Sequence, residues 1–99
     1  MAYKIRYNKT YLKELKVIAG WLEKKWSKKT ADDFVKEVYN KIHNLSITPF
    51  AGTITQKSPD IRKLVITKHN KVYYRVKGNT ITVLNLFETK LNPKRNKYE

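Results

Sequence analysis

Apolar and polar positions alternate from the start of the chain. Tyr3, Ile5 and Tyr7 fall on one side and Lys4 and Arg6 on the other, the two-residue period of a half-buried strand. From about Lys9 to Trp26 the period lengthens, with Leu12, Leu15, Ile18, Ala19, Leu22 and Trp26 recurring every three or four residues as the stripe of an amphipathic helix. Gly20 costs such a helix about 1 kcal/mol relative to Ala, so packing must hold it more than propensity does. Thr30 followed by Asp33 predicts the cap of a second helix, whose stripe is Ala31, Phe34, Val38, Ile42 and Leu45. That helix should stop before Pro49, because a proline ring disfavours helical geometry in the residue before it. The short link between the two stripes predicts an antiparallel helical hairpin.

Residues 47–59 hold two prolines and Gly52 and read as a loop, with a short edge strand at Thr53–Gln56. Three strands follow, at Ile61–Lys68, Lys71–Lys77 and Thr80–Glu88, joined by the two-residue turns His69-Asn70 and Gly78-Asn79. Such turns set Lys68 against Lys71, Val65 against Tyr74, Lys77 against Thr80 and Tyr74 against Val83. One face then carries Val65, Val72, Tyr74, Val76, Ile81 and Val83, to be covered by the helices. The other carries Leu64, Ile66, Tyr73, Leu84 and Leu86 among Arg62, Lys68, Lys71, Arg75 and Lys77. The predicted class is α+β: an N-terminal strand and an antiparallel helical hairpin packed on a three- to four-stranded antiparallel sheet.

The length, 99 residues, fits a single domain over 1–99, and 40% hydrophobic residues suffice for a core despite the charge. The absence of cysteine excludes disulfides and thiolate metal sites, and His43 and His69 alone do not make a zinc site, so no metal or cofactor is expected. No apolar run approaches a signal peptide or the roughly 20 residues of a membrane span, which predicts a cytoplasmic protein without membrane or small-molecule partners.

The formal charge is +14, distributed as +7 over residues 1–30, −1 over 31–60 and +8 over 61–99. The last third is therefore where an anionic partner should be sought. Cations on one side of a sheet, beside an aromatic ring, suit a surface that holds phosphates, with Arg62, Lys63, Lys68, Tyr73 and Lys77 as nucleic-acid contacts. The plainer reading is that strand lysines and arginines keep the sheet soluble while their stems cover apolar neighbours. Leu64, Ile66, Leu84 and Leu86 would form an apolar strip that an acidic partner segment should cover. Trp21 and Trp26 are expected in or beside the core, His69 in a turn and His43 at the helix surface. The order strand, two helices, three strands fits neither an RNA-recognition motif nor a double-stranded RNA-binding domain.

The chain resembles the RelE/ParE superfamily of bacterial type II toxins. The residues that carry the resemblance are the helical pair with Trp26, Ala31, Phe34 and Leu45, the Ile47-Thr48-Pro49-Phe50-Ala51-Gly52 loop, and Ile61-Arg62-Lys63-Leu64. The most specific stretch is Lys68-His69-Asn70-Lys71-Val72-Tyr73-Tyr74-Arg75-Val76, followed by Phe87-Glu88-Thr89-Lys90-Leu91-Asn92-Pro93. The resemblance implies a growth-inhibiting toxin neutralised by a cognate antitoxin. One branch of the superfamily cleaves messenger RNA on the ribosome, and the other poisons DNA gyrase.

For cleavage, the resemblance assigns Lys71 and Lys90 to positions where RelE-like enzymes carry arginines and puts Tyr98 near their terminal tyrosine. Arg75 would be a further phosphate contact, since the reaction needs cations for the developing charge and groups to move a proton. Lysine lacks the guanidinium fork, and Thr89 stands where other ribosome-dependent members have a histidine. A non-enzymatic, ParE-like gyrase inhibitor and a non-toxic nucleic-acid-binding domain of the same fold are the alternatives.

Overall fold

A computed structural model describes residues 2–91. Strand β1 (Lys4–Tyr7) leads into helix α1 (Lys9–Lys25) and helix α2 (Lys28–Asn44), and strands β2 (Thr53–Ile54), β3 (Ile61–Thr67), β4 (Asn70–Lys77) and β5 (Thr80–Glu88) follow. The sheet has five strands in the order β1-β5-β4-β3-β2. It is mixed, not wholly antiparallel: the helical hairpin returns the chain so that β1 lies parallel to β5, with Lys4 beside Thr80 and Tyr7 beside Val83. β2 is the expected edge strand, shorter than its sequence suggested.

Both helices lie on one face of the sheet, α1 against β5 and α2 against β3. The α2 stripe is buried as read: Ala31, Phe34, Val38 and Ile42 face inward, with Leu45 just beyond the helix end. Its N-terminus comes one turn earlier than expected, because Ser27 is the cap and accepts a hydrogen bond from the Thr30 amide at 3.1 Å. Only a two-residue corner is left between the helices, and it turns Trp26 outward, 66% exposed, instead of into the core edge.

The β4–β5 hairpin keeps the expected register from Lys77 beside Thr80 to Tyr74 beside Val83. Gly78, at φ 59°, is first of the two central turn residues, where a type II′ hairpin turn requires positive φ. A bulge then intervenes, and Tyr73 pairs with Asn85. The β3–β4 hairpin turns one residue earlier than predicted, at Lys68-His69, with Thr67 opposite Asn70 and Val65 opposite Lys71. Asn70 belongs to the strand because its buried amide is bonded, accepting from the Thr67 hydroxyl at 2.7 Å and donating toward Glu88 at 3.5 Å. No residue in this turn has positive φ, and the bulge beside it, between Val65 and Thr67, absorbs the mismatch with the strand twist.

Helix side chains cover both irregularities. Lys41 donates to the Ile66 carbonyl at 2.5 Å, and the Leu86 amide donates to Glu14 at 2.8 Å on the stretch of β5 that extends past the end of β1.

Tyr7 and Tyr11 stack at 5.5 Å between centroids where β1 passes into α1. Burial, followed by repulsion from Tyr7, pushes the Tyr11 phenol up to about 12 from 10.0. A phenol kept neutral by folding contributes stability that is complete below the unfolded value and is lost as pH rises through the folded one. Denaturant midpoints should therefore fall between about pH 10 and 12, and less steeply in Tyr11→Phe. Superimposable pH profiles for the two proteins would refute this assignment.

Candidate functional site

Alternation along β4 sends Lys71, Tyr73, Arg75 and Lys77 to the face away from the helices, because Val72 and Tyr74 belong to the helix-facing core. Cross-strand pairing extends this outer face. Val65, Lys63 and Ile61 stand beside Lys71, Tyr73 and Arg75, and Phe87, Asn85 and Thr82 stand on the other side. Through the parallel β1 pairing, Lys4 and Arg6 join the face beside Thr80 and Thr82. These two cations were not among the site residues read from sequence, although the alternation of Lys4 and Arg6 with Tyr3, Ile5 and Tyr7 was visible there. The outer face of the described strands thus gathers Lys4, Arg6, Lys63, Lys71, Arg75 and Lys77. Asp60, just before β3, meets Arg75 at 3.3 Å.

Arg62 does not belong to this face. The bulge in β3 reverses the expected parity, and Arg62 pairs with Tyr74 on the helix side. There its guanidinium donates to the Gly52 carbonyl at 2.7 Å and the Phe50 carbonyl at 3.3 Å, and lies 5.0 Å from the Phe50 ring. It is a loop clasp. The Tyr74 hydroxyl completes the clasp, donating to the Pro49 carbonyl and accepting from the Gly52 amide, each at 2.9 Å. Burial raises the Tyr74 phenol, while the Gly52 hydrogen bond and the Arg62 charge act in the opposite direction. Lys68 is exposed in the turn, off the sheet face.

The expected apolar strip is mostly core. Ile66 and Leu86 are buried in the main cluster with Ile18, Phe34 and Val38, and Leu64 packs against the same cluster. Leu84 stays on the outer face with Ile61, Tyr73 and Phe87. The reason is again the two bulges, each of which moves its strand by one residue and so exchanges the faces. Tyr73 is only 1% exposed, so it presents no ring to a base.

Of the residues assigned to catalysis, Lys71 and Arg75 share the outer face but stand four residues apart on one strand, a separation of about 13 Å. Lys90 does not follow them. The β5 bulge removes the parity that would have aligned it with Lys71, and the strand ends at Glu88, whose carboxylate accepts from the Lys90 amide in the turn beyond. Tyr98 lies outside the described residues. Across the strands Lys71 stands between Val65 and Phe87, neither of which can move a proton. Nor do the described residues bring three or more His, Cys, Asp or Glu side chains together as a metal site. No described helix is long and apolar enough to cross a membrane.

A second surface lies along the helical hairpin. Leu12, Leu15, Ala19 and Val35, flanked by Lys13 and Lys16, line an open groove of about 630 Å³. It continues past Leu12 and Val35 into a smaller cleft bounded by Tyr7, Tyr11 and Tyr39. Leu12 is 50% exposed and Tyr39 57%. Solvent-facing apolar side chains that adjoin one another mark an interaction surface more than scattered ones do.

A family model described as the ParE toxin of type II toxin–antitoxin system, parDE, matches residues 5–91. No curated protein gives a significant sequence match. Among solved structures, the fold is similar to the chromosomal ParDE system of P. aeruginosa, with TM-score 0.77 and 16% identity over 88% of this chain and 96% of that one. It is similar also to a YoeB/ParE toxin from Agrobacterium tumefaciens, with TM-score 0.65 and 18% identity over 86% and 96% of the two chains. The RelBE2 toxin–antitoxin complex from Mycobacterium tuberculosis gives TM-score 0.61 and 15% identity over 89% and 99%. At such identities the structures establish the shared fold, and the family match establishes kinship: this chain belongs to the ParE toxin family of type II toxin–antitoxin systems.

Proposed function

We propose that the chain arrests growth by binding its target, DNA gyrase, without cleaving RNA, and that an acidic antitoxin neutralises it. The observation that carries this reading is the dispersal of the described residues among those assigned to cleavage. Lys71 and Arg75 are about 13 Å apart along β4, and Lys90 is in the turn after β5. Scission through a 2′-hydroxyl needs a base, an acid and cations within reach of one phosphate. Inhibition by binding needs only a surface, and the family match favours it. The antitoxin's place is the apolar groove of the hairpin, since a chain of charge +14 favours an acidic partner and Lys13 and Lys16 flank the exposed Leu12 and half-buried Leu15.

Induction in growing bacteria should stop growth, and purified chain should suppress supercoiling of relaxed plasmid by gyrase, while primer extension finds transcripts uncut. Unaltered gyrase activity at saturating protein would remove the target. Cuts within codons that vanish in a Lys71→Ala, Lys90→Ala variant would replace the reading with ribonuclease chemistry, in which Lys71, Arg75, Lys90 and Tyr98 act on the phosphate. Normal growth on induction would leave only a non-toxic domain.

A further inference from the structure

We propose that the β1–β5–β4 end of the outer face is a docking trough for the phosphate backbone of duplex DNA. Its walls are two pairs of cations and its floor is two threonines. Register places Lys4, Thr80 and Lys77 in one row across three strands, and Arg6, Thr82 and Arg75 in the next. Both rows lie in the regular half of the sheet, before the β5 bulge, so all six side chains share the outer face.

Strand geometry sets the dimensions. Two residues along a strand advance about 7 Å, and two strands across the sheet span about 10 Å. The cations therefore stand at the corners of a rectangle narrow enough for Lys and Arg side chains on both walls to reach one backbone lying over Thr80 and Thr82. The wall is anchored, since the Lys4 amide donates to the Asn79 carbonyl at 2.8 Å in the β4–β5 turn. Lys4, Arg6, Arg75 and Lys77 are all exposed. The Asp60 contact to Arg75 is a solvent-exposed ion pair, of a kind that exchanges readily for a phosphate.

Duplex is favoured over single strand because proteins that grip single strands stack the bases on exposed aromatics, and the aromatic of β4 on this face, Tyr73, is buried. The two rows of the trough hold cations and threonines and no ring, a composition that reads backbone and not sequence. The inference is independent of which enzyme the toxin inhibits.

Anisotropy of a labelled generic duplex, titrated with full-length chain over a salt series, tests it. Four phosphate contacts give a slope of log affinity against log salt near about −3.6, and Lys4→Ala with Arg6→Ala should make it shallower by about 1.8 and weaken binding at least tenfold at low salt. A control pair, Lys24→Ala with Lys36→Ala, removes the same charge from the helix surface and should leave the slope unchanged. Equal losses from the two pairs would mean that net charge alone attracts DNA and would overturn the trough. So would tighter binding of single-stranded RNA than of duplex. Matching circular dichroism and melting curves establish that each variant folds.

Discussion

Replacing Gly52 with alanine is expected to be among the most damaging single-methyl changes in this protein. A Cβ there would stand 2.7 Å from the Lys63 carbonyl oxygen and 2.7 Å from the Tyr74 hydroxyl. The first neighbour is backbone in the middle of β3, which cannot withdraw without disturbing its pairing with β2 and β4. The second is the buried hydroxyl that holds the 49–52 loop by two hydrogen bonds. Overpacking costs about 1–3 kcal/mol, and breaking a buried hydrogen bond without replacing it adds about 1–3 kcal/mol. A loss near 3 kcal/mol lowers the melting temperature of a domain this size by roughly 4–8 °C for each kcal/mol. Tyr74→Phe should cost less, about 1–2 kcal/mol, because it removes the hydroxyl without forcing the backbone apart. The double variant should be less unstable than the sum, since phenylalanine removes the hydroxyl clash and leaves the Lys63 carbonyl and the ring carbon Cε1, at 2.9 Å, as the remaining close contacts. Thermal melts of the four proteins measure this. A Gly52→Ala protein that melts with the parent would show that the loop shifts freely, and strict additivity would show that glycine and tyrosine are not coupled.

The same loop illustrates what the amino-acid order displays and what it conceals. Pro49 and Gly52 mark a turn by composition alone, but nothing local says that Tyr74 and Arg62, both read as strand residues, fasten it. The α2 stripe and the start of the β4–β5 hairpin were legible because each rests on a short-range period or on a glycine that supplies positive φ at the turn, whereas the α1 stripe was read in part, Ile18 being buried but Leu12 and Trp26 exposed and Tyr11 buried in their stead. Parity within β4 was legible for the same reason, so Lys71, Tyr73, Arg75 and Lys77 do share a face. Arg62, Ile66 and Leu86 were misplaced because their assignments were carried across a bulge, and one extra residue exchanges the two faces of everything beyond it. The signals for those bulges are tertiary: a buried Asn70 bonded to Thr67, a lysine of α2 on the Ile66 carbonyl, a glutamate of α1 on the Leu86 amide. Lys4 and Arg6 were missed for a further reason. The strand they sit on was recognised, but parallel pairing through a helical crossover leaves no turn from which to count a register.

The helical hairpin carries the largest functional effect we expect. Changing Leu12 to aspartate puts a carboxylate at the junction of the groove and the tyrosine cleft, where Leu15 and Val35 also meet. Leu12 is half exposed in the free chain, so an aspartate there remains hydrated and the fold should tolerate it within about 1 kcal/mol. Under a bound antitoxin the same carboxylate would be buried against an apolar and acidic partner. Two penalties then coincide: desolvation of a carboxylate that only the groove's own Lys13 and Lys16 can pair, and repulsion between like charges. Truncations at well-packed interface positions cost about 2–4 kcal/mol, and a loss at the middle of that range weakens binding about 100-fold. Leu12→Ala should weaken it less, because it removes contact area without adding charge. Toxicity should survive in both variants, since the proposed reading gives the Leu12 groove to the antitoxin and not to the target. Co-expression should therefore fail to rescue growth in Leu12→Asp while it rescues the parent, with titration calorimetry giving the affinity ratio. Full rescue with undiminished affinity would place the antitoxin elsewhere on the molecule, and a non-toxic Leu12→Asp chain with native circular dichroism would mean that the hairpin also meets the target.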